Sequence, residues 1–180
     1  MKLSTKDIVI LLLYTPVGNN FNYPIKGRTR LSKMIYLFEK EKKKIFLNNE
    51  IEDISDFGFY AWFYGPFSAQ VYYDLEFLIN HEFIETKNSN EIPQLEEISE
   101  NEYFYETNDF EYYEDEFLLS SKGVDKSKRF WTILNNNQQD ILIGFKEAMI
   151  NSSLKRILEY VYRKYPESTS KSKIVERVIK

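Results

Sequence analysis

The sequence lacks cysteine altogether and contains one histidine, His81, among its 180 residues. Without thiols, the chain cannot form a disulfide framework, a thiolate zinc site, an iron–sulfur cluster or a cysteine nucleophile. One histidine is too few for a histidine-rich metal site and leaves little scope for histidine acid–base chemistry. These two shortages exclude several classes of metalloprotein and enzyme.

Glycine-rich and long apolar segments are also missing. Six glycines occur, none of them in a Gly-x-Gly-x-x-Gly run, so no phosphate-binding glycine loop is predicted. The longest apolar run near the start, residues 8–14, is too short to span a bilayer and lacks a signal-peptide cleavage pattern. No spacing singles out an acid–base pair among the 28 carboxylates. We therefore expect a cytoplasmic protein that is not an enzyme and that binds no cofactor, metal or membrane.

The chain does contain enough apolar residues for a core, and its charge is unevenly divided. Hydrophobic residues make up 43% and charged residues 29%, which is typical of a soluble globular protein. Residues 91–116 contain eleven acidic residues and no Lys or Arg, whereas the rest has 24 basic and 17 acidic residues, a net charge of +7. The location of the charge, rather than its sum of −4, therefore decides whether the chain can approach nucleic acid.

Hydrophobic spacing predicts two helices and an aromatic strand at the start of the chain. The first helix, at about residues 4–16, is apolar nearly all round and should lie deep in the core. The second, at about residues 29–45, has one apolar stripe and a basic opposite side. Segment 56–64, which is rich in Phe, Tyr and Trp, predicts a short buried strand.

A third helix is predicted for residues 68–81, because Ser68 is a good N-cap and apolar residues follow at helical spacing. Its expected inward side chains are Val71, Leu75, Leu78 and Ile79. Strands are predicted at 83–86, 103–105 and 117–119, with an acidic loop or hairpin between the first and the last of them.

The remainder of the chain is predicted to be helical. A turn at residues 121–123 closes the first part, and helices follow at 126–134, 138–150 and 153–165. Pro166 should end the last of these, and Ser170 should cap a short final helix.

This order of elements predicts an α+β, mainly helical fold: a winged helix-turn-helix with a C-terminal helical extension. We expect the winged-helix domain over residues 1–123, with a long acidic wing at about residues 88–116, and the helical extension over residues 124–180. In such a fold the helix at 68–81 occupies the recognition position.

Two blocks of sequence resemble a group of prokaryotic winged-helix proteins: Gly27-Arg-Thr-Arg-Leu-Ser-Lys-Met-Ile-Tyr-Leu and Tyr60-Ala-Trp-Phe-Tyr-Gly-Pro-Phe-Ser68. That group is similar to the Panacea-type domain of antitoxins and proteolytic adaptors. The segment 117–123, Phe-Leu-Leu-Ser-Ser-Lys-Gly, resembles the second wing strand and the following turn of PadR- and MarR-type regulators. The resemblance implies a winged-helix fold with either a protein-binding or a DNA-binding role, and it implies no catalytic residues. The long acidic wing departs from the pattern.

The outward side of the recognition helix is expected to carry Gln70, Tyr73, Phe77 and Asn80. A helix that reads base edges uses mostly Arg, Lys, Asn or Gln, yet residues 68–83 contain three acids and no Lys or Arg. Exposed Tyr73 and Phe77 favour contact with a protein partner. The alternatives are that both rings pack beneath the C-terminal helices of the same chain, or that the helix binds DNA.

The strongest sequence argument for nucleic acid is the basic side of the second helix. Residues 26–44 contain eight Lys or Arg residues and two acids. The candidate phosphate contacts are Arg28, Arg30, Lys33, Lys40 and Lys44. The same pattern is also typical of the solvated side of any amphipathic helix, and a third alternative is a docking site for an acidic segment.

The acidic segment 91–116 mixes its carboxylates with Tyr and Phe side chains. A solvated wing hairpin is the simplest interpretation. The alternatives are a nucleic-acid mimic and an acidic arm that covers the basic helix, within the monomer or in a dimer. The segment has no calcium-loop glycine and no regular spacing of oxygen ligands, so no metal site is predicted there.

The sequence thus predicts a regulatory winged-helix module that binds a protein partner, as an antitoxin or an adaptor does, through the outward residues of its recognition helix. The alternative is a double-stranded DNA-binding transcriptional regulator that docks through the basic second helix. A homodimer built on the C-terminal helices is a further expectation.

Overall fold

The computed structural model describes residues 1–87 and 115–179. Over these residues the protein has an α+β fold that is mainly helical, as the sequence predicts. Nowhere in this part of the chain is a helix both long enough and apolar enough to cross a membrane.

The first helix, α1 (Thr5–Tyr14), lies at the centre of the core. A capping box closes its N-terminus: the Ser4 hydroxyl accepts from the backbone N–H of Asp7, and the Asp7 carboxylate accepts from the backbone N–H of Ser4. The side chains of residues 8–13 are all fully buried. The predicted depth of this helix is therefore confirmed, since an all-apolar helix needs core on every side.

The second helix, α2 (Arg28–Leu37), runs on through a π-helical turn (Phe38–Lys42) into α3 (Lys43–Phe46). The long helix predicted for residues 29–45 is therefore present, with one widened turn. A π-helical turn inserts an extra residue into the helical repeat, so the side chains after it are rotated relative to those before it.

Four short strands form two separate pairs: β1 (Lys2–Leu3) with β3 (Asp53–Ile54), parallel, and β4 (Tyr60–Trp62) with β5 (Gly65–Phe67), antiparallel. The second pair confirms a strand in the aromatic segment, but the predicted burial is wrong, because Tyr60 is 45% and Phe63 36% exposed. The chain reverses after only three residues of β4, so the hairpin is too short to bury both of its faces.

Helix α4 (Ala69–Asn80) begins at Ser68, whose hydroxyl accepts from the backbone N–H of Val71. The predicted N-cap is thus confirmed. Its inward side is also as predicted, and it packs against α1. The buried or partly buried side chains of that side are Val71, Leu75, Leu78 and Ile79.

A three-stranded antiparallel sheet combines two strands that come after α4 with one that comes before α2. Its middle strand, β7 (Glu116–Leu119), pairs with β6 (Ile84–Lys87) on one side and with β2 (Ile25–Lys26) on the other. β6 and β7 confirm two of the predicted strands. The third, at residues 103–105, lies outside the described residues.

Three helices account for most of the C-terminal part: α5 (Ser121–Ile133), α6 (Asn136–Asn151) and α7 (Leu154–Lys164). They confirm the three helices predicted there, apart from the earlier start of α5. The turn predicted at residues 121–123 is wrong. The Ser120 hydroxyl accepts from the backbone N–H of Gly123, so these residues form the first turn of α5.

A 3-10 turn (Pro166–Thr169) follows α7, and a short helix, α8 (Val175–Val178), ends the described chain. Pro166 stops α7 as predicted, but Ser170 is not the cap of α8, which has no side-chain cap. The predicted domain boundary at residue 123 falls inside α5, and the hydrophobic core takes residues from both sides of it. The division into two domains stays a prediction.

Candidate interaction surface

The outward side of α4 carries the four side chains that helical spacing places there: Gln70, Tyr73, Phe77 and Asn80, here called the α4 face. All four are exposed, Tyr73 to 53% and Phe77 to 42%. The alternative in which both rings pack beneath the C-terminal helices of the same chain is therefore wrong. Two exposed rings on one side of a helix, with an amide at either end, form a small apolar patch.

The ring of Phe77 is held by two neighbours. His81, one helical turn further on, stacks on it with 3.9 Å between the ring centroids and 22° between the planes. The ammonium of Lys6 lies 5.1 Å from the centroid of the Phe77 ring, within the range of a cation–π contact. The Phe77 side chain is thus exposed but already restricted in its motion. A partner that covers it would therefore cause little further loss of side-chain conformational entropy.

A buried carboxylate lies beneath the α4 face. Asp74 is 2% exposed, although helical spacing places it near the edge of the outward side. Its Oδ1 accepts from Lys6 Nζ and from Gln70 Nε2, each at 2.9 Å. Within the described residues its Oδ2 has no hydrogen-bond partner. The charge of Lys6 is therefore balanced inside the chain.

Two lysines of α5 lie close to the C-terminal end of α4. Lys122 Nζ donates to the carbonyl oxygen of His81 at 2.8 Å and lies 4.4 Å from the centroid of the Phe83 ring. Lys126 Nζ lies 5.4 Å from the same ring and 3.4 Å from the carboxylate of Asp7. Both ammonium groups thus have partners within the chain.

The prediction that Lys33 belongs to a solvated basic side is wrong. Lys33 is 3% exposed, and its ammonium donates to the carbonyl oxygens of Tyr64 at 3.3 Å and Pro66 at 3.1 Å. The β4–β5 hairpin packs on α2 here, and its buried carbonyls need donors where water is excluded. Lys33 therefore joins the hairpin to α2 and is not available to a phosphate.

Arg30 and Arg28 are also bound within the chain, contrary to the predicted phosphate-binding role. The Arg30 guanidinium donates to the carbonyl oxygens of Met149 at 2.6 Å and Ser152 at 2.7 Å. These carbonyls end α6, where the helix dipole favours a positive charge. Arg28 Nε donates to the carboxylate of Asp115 at 3.1 Å, and both side chains are largely buried.

The five predicted basic residues therefore do not form one continuous face. Lys40 and Lys44 are exposed, and both follow the start of the π-helical turn. The other three bind groups that are distant in sequence, mostly backbone carbonyls. Helical spacing carries no information about such partners, because a lysine that binds a carbonyl and a lysine in solvent have the same periodicity.

Two carboxylates at the end of the acidic segment 91–116 pair with basic residues near the start of α2. Asp115 binds Arg28, and Glu116 lies 3.0 Å from the ammonium of Lys26. Glu116 and Lys26 are opposite residues of the β2–β7 strand pair, so of these two carboxylates it is Asp115 that binds the basic helix. Residues 91–114 lie outside the described residues, so their role stays a prediction.

A second exposed aromatic cluster, which is not among the predicted site residues, lies on the β4–β5 hairpin. The Tyr60 ring lies 5.7 Å from those of Trp62 and Phe67, and Trp62 stacks on Phe63 at 4.7 Å. Lys173 Nζ lies 4.2 Å from the Phe63 ring centroid. The density of aromatic residues is the sequence signal for this cluster, but β propensity alone favours a buried strand.

Comparisons of the chain with known protein families, with curated proteins and with solved structures find no match. The resemblance of the two sequence blocks to winged-helix regulators therefore stays a prediction, as does the homodimer through the C-terminal helices. In residues 1–87 and 115–179, no group of three or more His, Asp or Glu side chains is placed to hold a metal ion.

Proposed function

We propose that the chain is a regulatory winged-helix module that binds a protein partner through the α4 face. One observation carries the proposal. The helix that this fold presents outward has two exposed aromatic rings and no cation of its own, and the ammonium that lies over the Phe77 ring, from Lys6, is paired with Asp74.

The order and pairing of the elements support the winged-helix part of the proposal. Helices α1 and α2 precede α4, and the antiparallel strands β6 and β7 come after it. β2, from between α1 and α2, lies on the far side of β7. Helices followed by an antiparallel hairpin are typical of a winged helix-turn-helix, and α4 then has the place of the recognition helix.

The chemistry of the α4 face favours a polypeptide over a duplex. Affinity for DNA comes largely from Lys and Arg side chains that neutralise phosphates, and residues 68–83 contain none. Aromatic side chains are enriched at the centres of protein interfaces, and Tyr is a frequent hot spot. The partner we propose presents apolar side chains to Tyr73 and Phe77, and backbone or polar groups to the amides of Gln70 and Asn80.

The alternative, a DNA-binding regulator, depends on Lys40 and Lys44, because Arg28, Arg30 and Lys33 bind groups within the chain. Two phosphate contacts give a slope of only about −2 for the logarithm of affinity against the logarithm of salt concentration. Specific DNA-binding proteins typically make several more such contacts.

The first test places a photo-crosslinking residue, p-benzoylphenylalanine, at position 73 or 77 of the full chain, with position 155 as a matched exposed control and position 44 as a reporter of DNA contact. After irradiation in cells of the source organism, we expect adducts at 73 and 77 that protease digests and nuclease leaves intact. Nuclease-sensitive adducts at position 44 would support the DNA-binding alternative. An absence of adducts at 73 and 77 would overturn the proposal.

The second test measures affinity for the partner that the adducts identify. Tyr73→Ala and Phe77→Ala should each raise the Kd about 30-fold, the size of effect seen at interface hot spots. Glu76→Ala, an exposed change on the same helix, should alter it less than about threefold. Unchanged affinity in both aromatic variants contradicts the proposal.

DNA binding is measured separately, by gel shift with genomic fragments at two salt concentrations. Charge reversal at Arg30 or Lys33 would report on folding, because both bind buried carbonyls. The informative variants are Lys40→Glu and Lys44→Glu. Salt-sensitive, sequence-dependent binding that both variants abolish would establish the alternative role.

A further inference from the structure

A cleft of about 400 Å³ opens between two parts of the fold. One is the continuous helix formed by α2, the π-helical turn and α3, and the other is the pair of helices α6 and α7. The volume of the cleft is in the range of small-molecule sites, and the cleft lies between packed helices, a common position for such sites. Its walls are largely apolar. The apolar lining side chains are Leu37, Phe145, Ala148, Met149 and Ile157.

Gly144 widens this cleft from the α6 side. A Cβ atom at this position would meet no heavy atom within 4 Å, so the space beside the glycine is open. A side chain at position 144 would occupy the cleft without displacing the backbone around it.

Two cations border the cleft: Lys42, from the π-helical turn, and Arg156, from the first turn of α7. Within residues 1–87 and 115–179 neither side chain has a hydrogen bond or an ion pair. Lys42 differs in this from Arg30 and Lys33, which precede it on the same long helix and are both bound to carbonyls.

The acid in the lining, Glu41, does not balance these two cations. Its Oε1 accepts from Tyr160 Oη at 2.7 Å, from Lys164 Nζ at 2.9 Å and from Tyr165 Oη at 3.0 Å. All three bonds fall on Oε1, and the charge of this carboxylate is paired with Lys164, which does not line the cleft. Among the described residues, the cleft therefore combines apolar walls with two cations that have no carboxylate partner.

We propose that this cleft binds a small organic anion, a carboxylate attached to an apolar body of the size of a substituted benzene ring. The apolar body lies against Phe145 and Met149, and the carboxylate faces Lys42 and Arg156. A guanidinium can bind a carboxylate through two parallel hydrogen bonds, which gives the site its preference for this head group. The site is separate from the α4 face and does not depend on the function proposed for it.

Methionine methyl resonances provide a direct test. The chain contains three methionines, Met1, Met34 and Met149, of which Met149 lines the cleft and Met34 lies in the core. The full chain, labelled with 13C-methyl methionine, is titrated with 4-butylbenzoate, with its neutral analogue 4-butylbenzyl alcohol, and with the cationic 4-butylbenzylamine. We expect a saturable shift of the Met149 resonance with the carboxylate, and affinities at least about tenfold lower with the other two probes.

Substitutions distinguish the contribution of the two cations to binding from that of the apolar cavity. Lys42→Gln and Arg156→Gln should each weaken carboxylate binding about five- to tenfold and leave binding of the alcohol unchanged. Lys44→Gln and Lys155→Gln, exposed neighbours that do not line the cleft, are the matched controls and should change neither. Gly144→Leu should abolish binding of all three probes, with the fold checked by the unchanged Met34 resonance.

Three results would overturn the proposal. The first is an unshifted Met149 resonance with every probe. The second is equal affinity for the carboxylate and the alcohol, which would show an apolar groove without anion selectivity. The third is carboxylate binding that survives Gly144→Leu, which would place the bound anion elsewhere.

Discussion

The ammonium of Lys146, on α6, lies 2.8 Å from the carbonyl oxygen of Leu13, on α1. It also donates to the carbonyl oxygens of Thr15 at 2.8 Å and Tyr23 at 2.9 Å, so all three of its N–H bonds have acceptors in a fully buried position. The last carbonyls of a helix have no donor within the helix, and a cation there complements the helix dipole. Lys146 therefore joins α6 to the end of α1 and to the loop that follows it.

The first prediction concerns the titration of this lysine. Burial lowers the pKa of Lys146 from 10.5 to about 7. We expect the Cε resonance of Lys146, observed by 13C NMR and assigned with Lys146→Met, to titrate near pH 7 in the folded protein and near pH 10.5 in urea. Titration of the folded protein at the ordinary value would show that the three carbonyl contacts offset burial.

The same shift predicts the sign of a stability change. Because the pKa of Lys146 is lower in the folded than in the unfolded chain, unfolding takes up a proton between pH about 7 and 10.5. The contribution of Lys146 to the free energy of unfolding should therefore rise with pH across this window and be lowest below it. Urea denaturation of the wild type and of Lys146→Met, compared at several pH values, isolates this rise.

The second prediction separates buried from exposed lysines on one helix. Lys33→Met keeps the apolar stem but leaves the carbonyls of Tyr64 and Pro66 without their donor, which should cost about 1–3 kcal/mol in free energy of unfolding. Lys40→Met and Lys44→Met, at exposed positions, should each change it by less than about 0.5 kcal/mol. Equal changes in the free energy of unfolding for the three variants, measured by urea denaturation, would contradict the role of Lys33 in joining the β4–β5 hairpin to α2.

The third prediction compares two glycines in helices. A Cβ at Gly123 would lie 2.1 Å from the carbonyl oxygen of Phe83, so Gly123→Ala forces the backbone apart and should cost about 1–3 kcal/mol. Gly144→Ala meets nothing within 4 Å and should gain about 0.5–1 kcal/mol, because alanine restricts the unfolded chain and favours the helix. Thermal unfolding of the two variants checks the opposite signs.

The fourth prediction concerns the loss of stability at acidic pH. Burial alone would raise the pKa of Glu41, but hydrogen bonds from Lys164, Tyr160 and Tyr165 outweigh it and hold the pKa below its ordinary value of 4.5. The stabilisation from this carboxylate is then complete above about pH 4.5 and is lost as the pH falls through the folded pKa.

Glu41→Gln removes this pH dependence. The difference in free energy of unfolding between the wild type and Glu41→Gln should be largest at neutral pH and should shrink below pH 4.5. Glu76→Gln, which removes an exposed carboxylate from α4, controls for the general effect of charge. A difference that stays constant down to pH 2 would contradict the role of the three donors.

Local signals were sufficient to predict most of the secondary structure. Ser68 is an N-cap as expected, because a hydroxyl before an apolar helical run satisfies the first free N–H groups. The four side chains of the α4 face are exposed as expected, because inward and outward positions on a helix differ only in angle. These features depend on residues within one or two turns of each other.

The errors at the predicted basic site concern features that depend on distant residues. Lys33 and Arg30 have the spacing of solvated residues, yet their acceptors come from a hairpin and from the end of α6. Lys146 has no signal in its own helix, because its partners belong to α1 and the following loop. The cleft at Gly144 arises only when helices from both ends of the chain pack together. Helical periodicity predicts the direction in which a side chain points, but it does not predict the groups that the side chain contacts.

The pairing of Lys87 with Glu116, at the open end of β6 and β7, has a consequence for the architecture. Opposite residues of antiparallel strands lie about 5 Å apart, a gap that a loop of two or three residues closes. Exchange of residues 88–114 for a minimal turn would therefore span the gap between β6 and β7. The exchange cannot include Asp115 or Glu116, because the carboxylates of these two residues pair with Arg28 and Lys26.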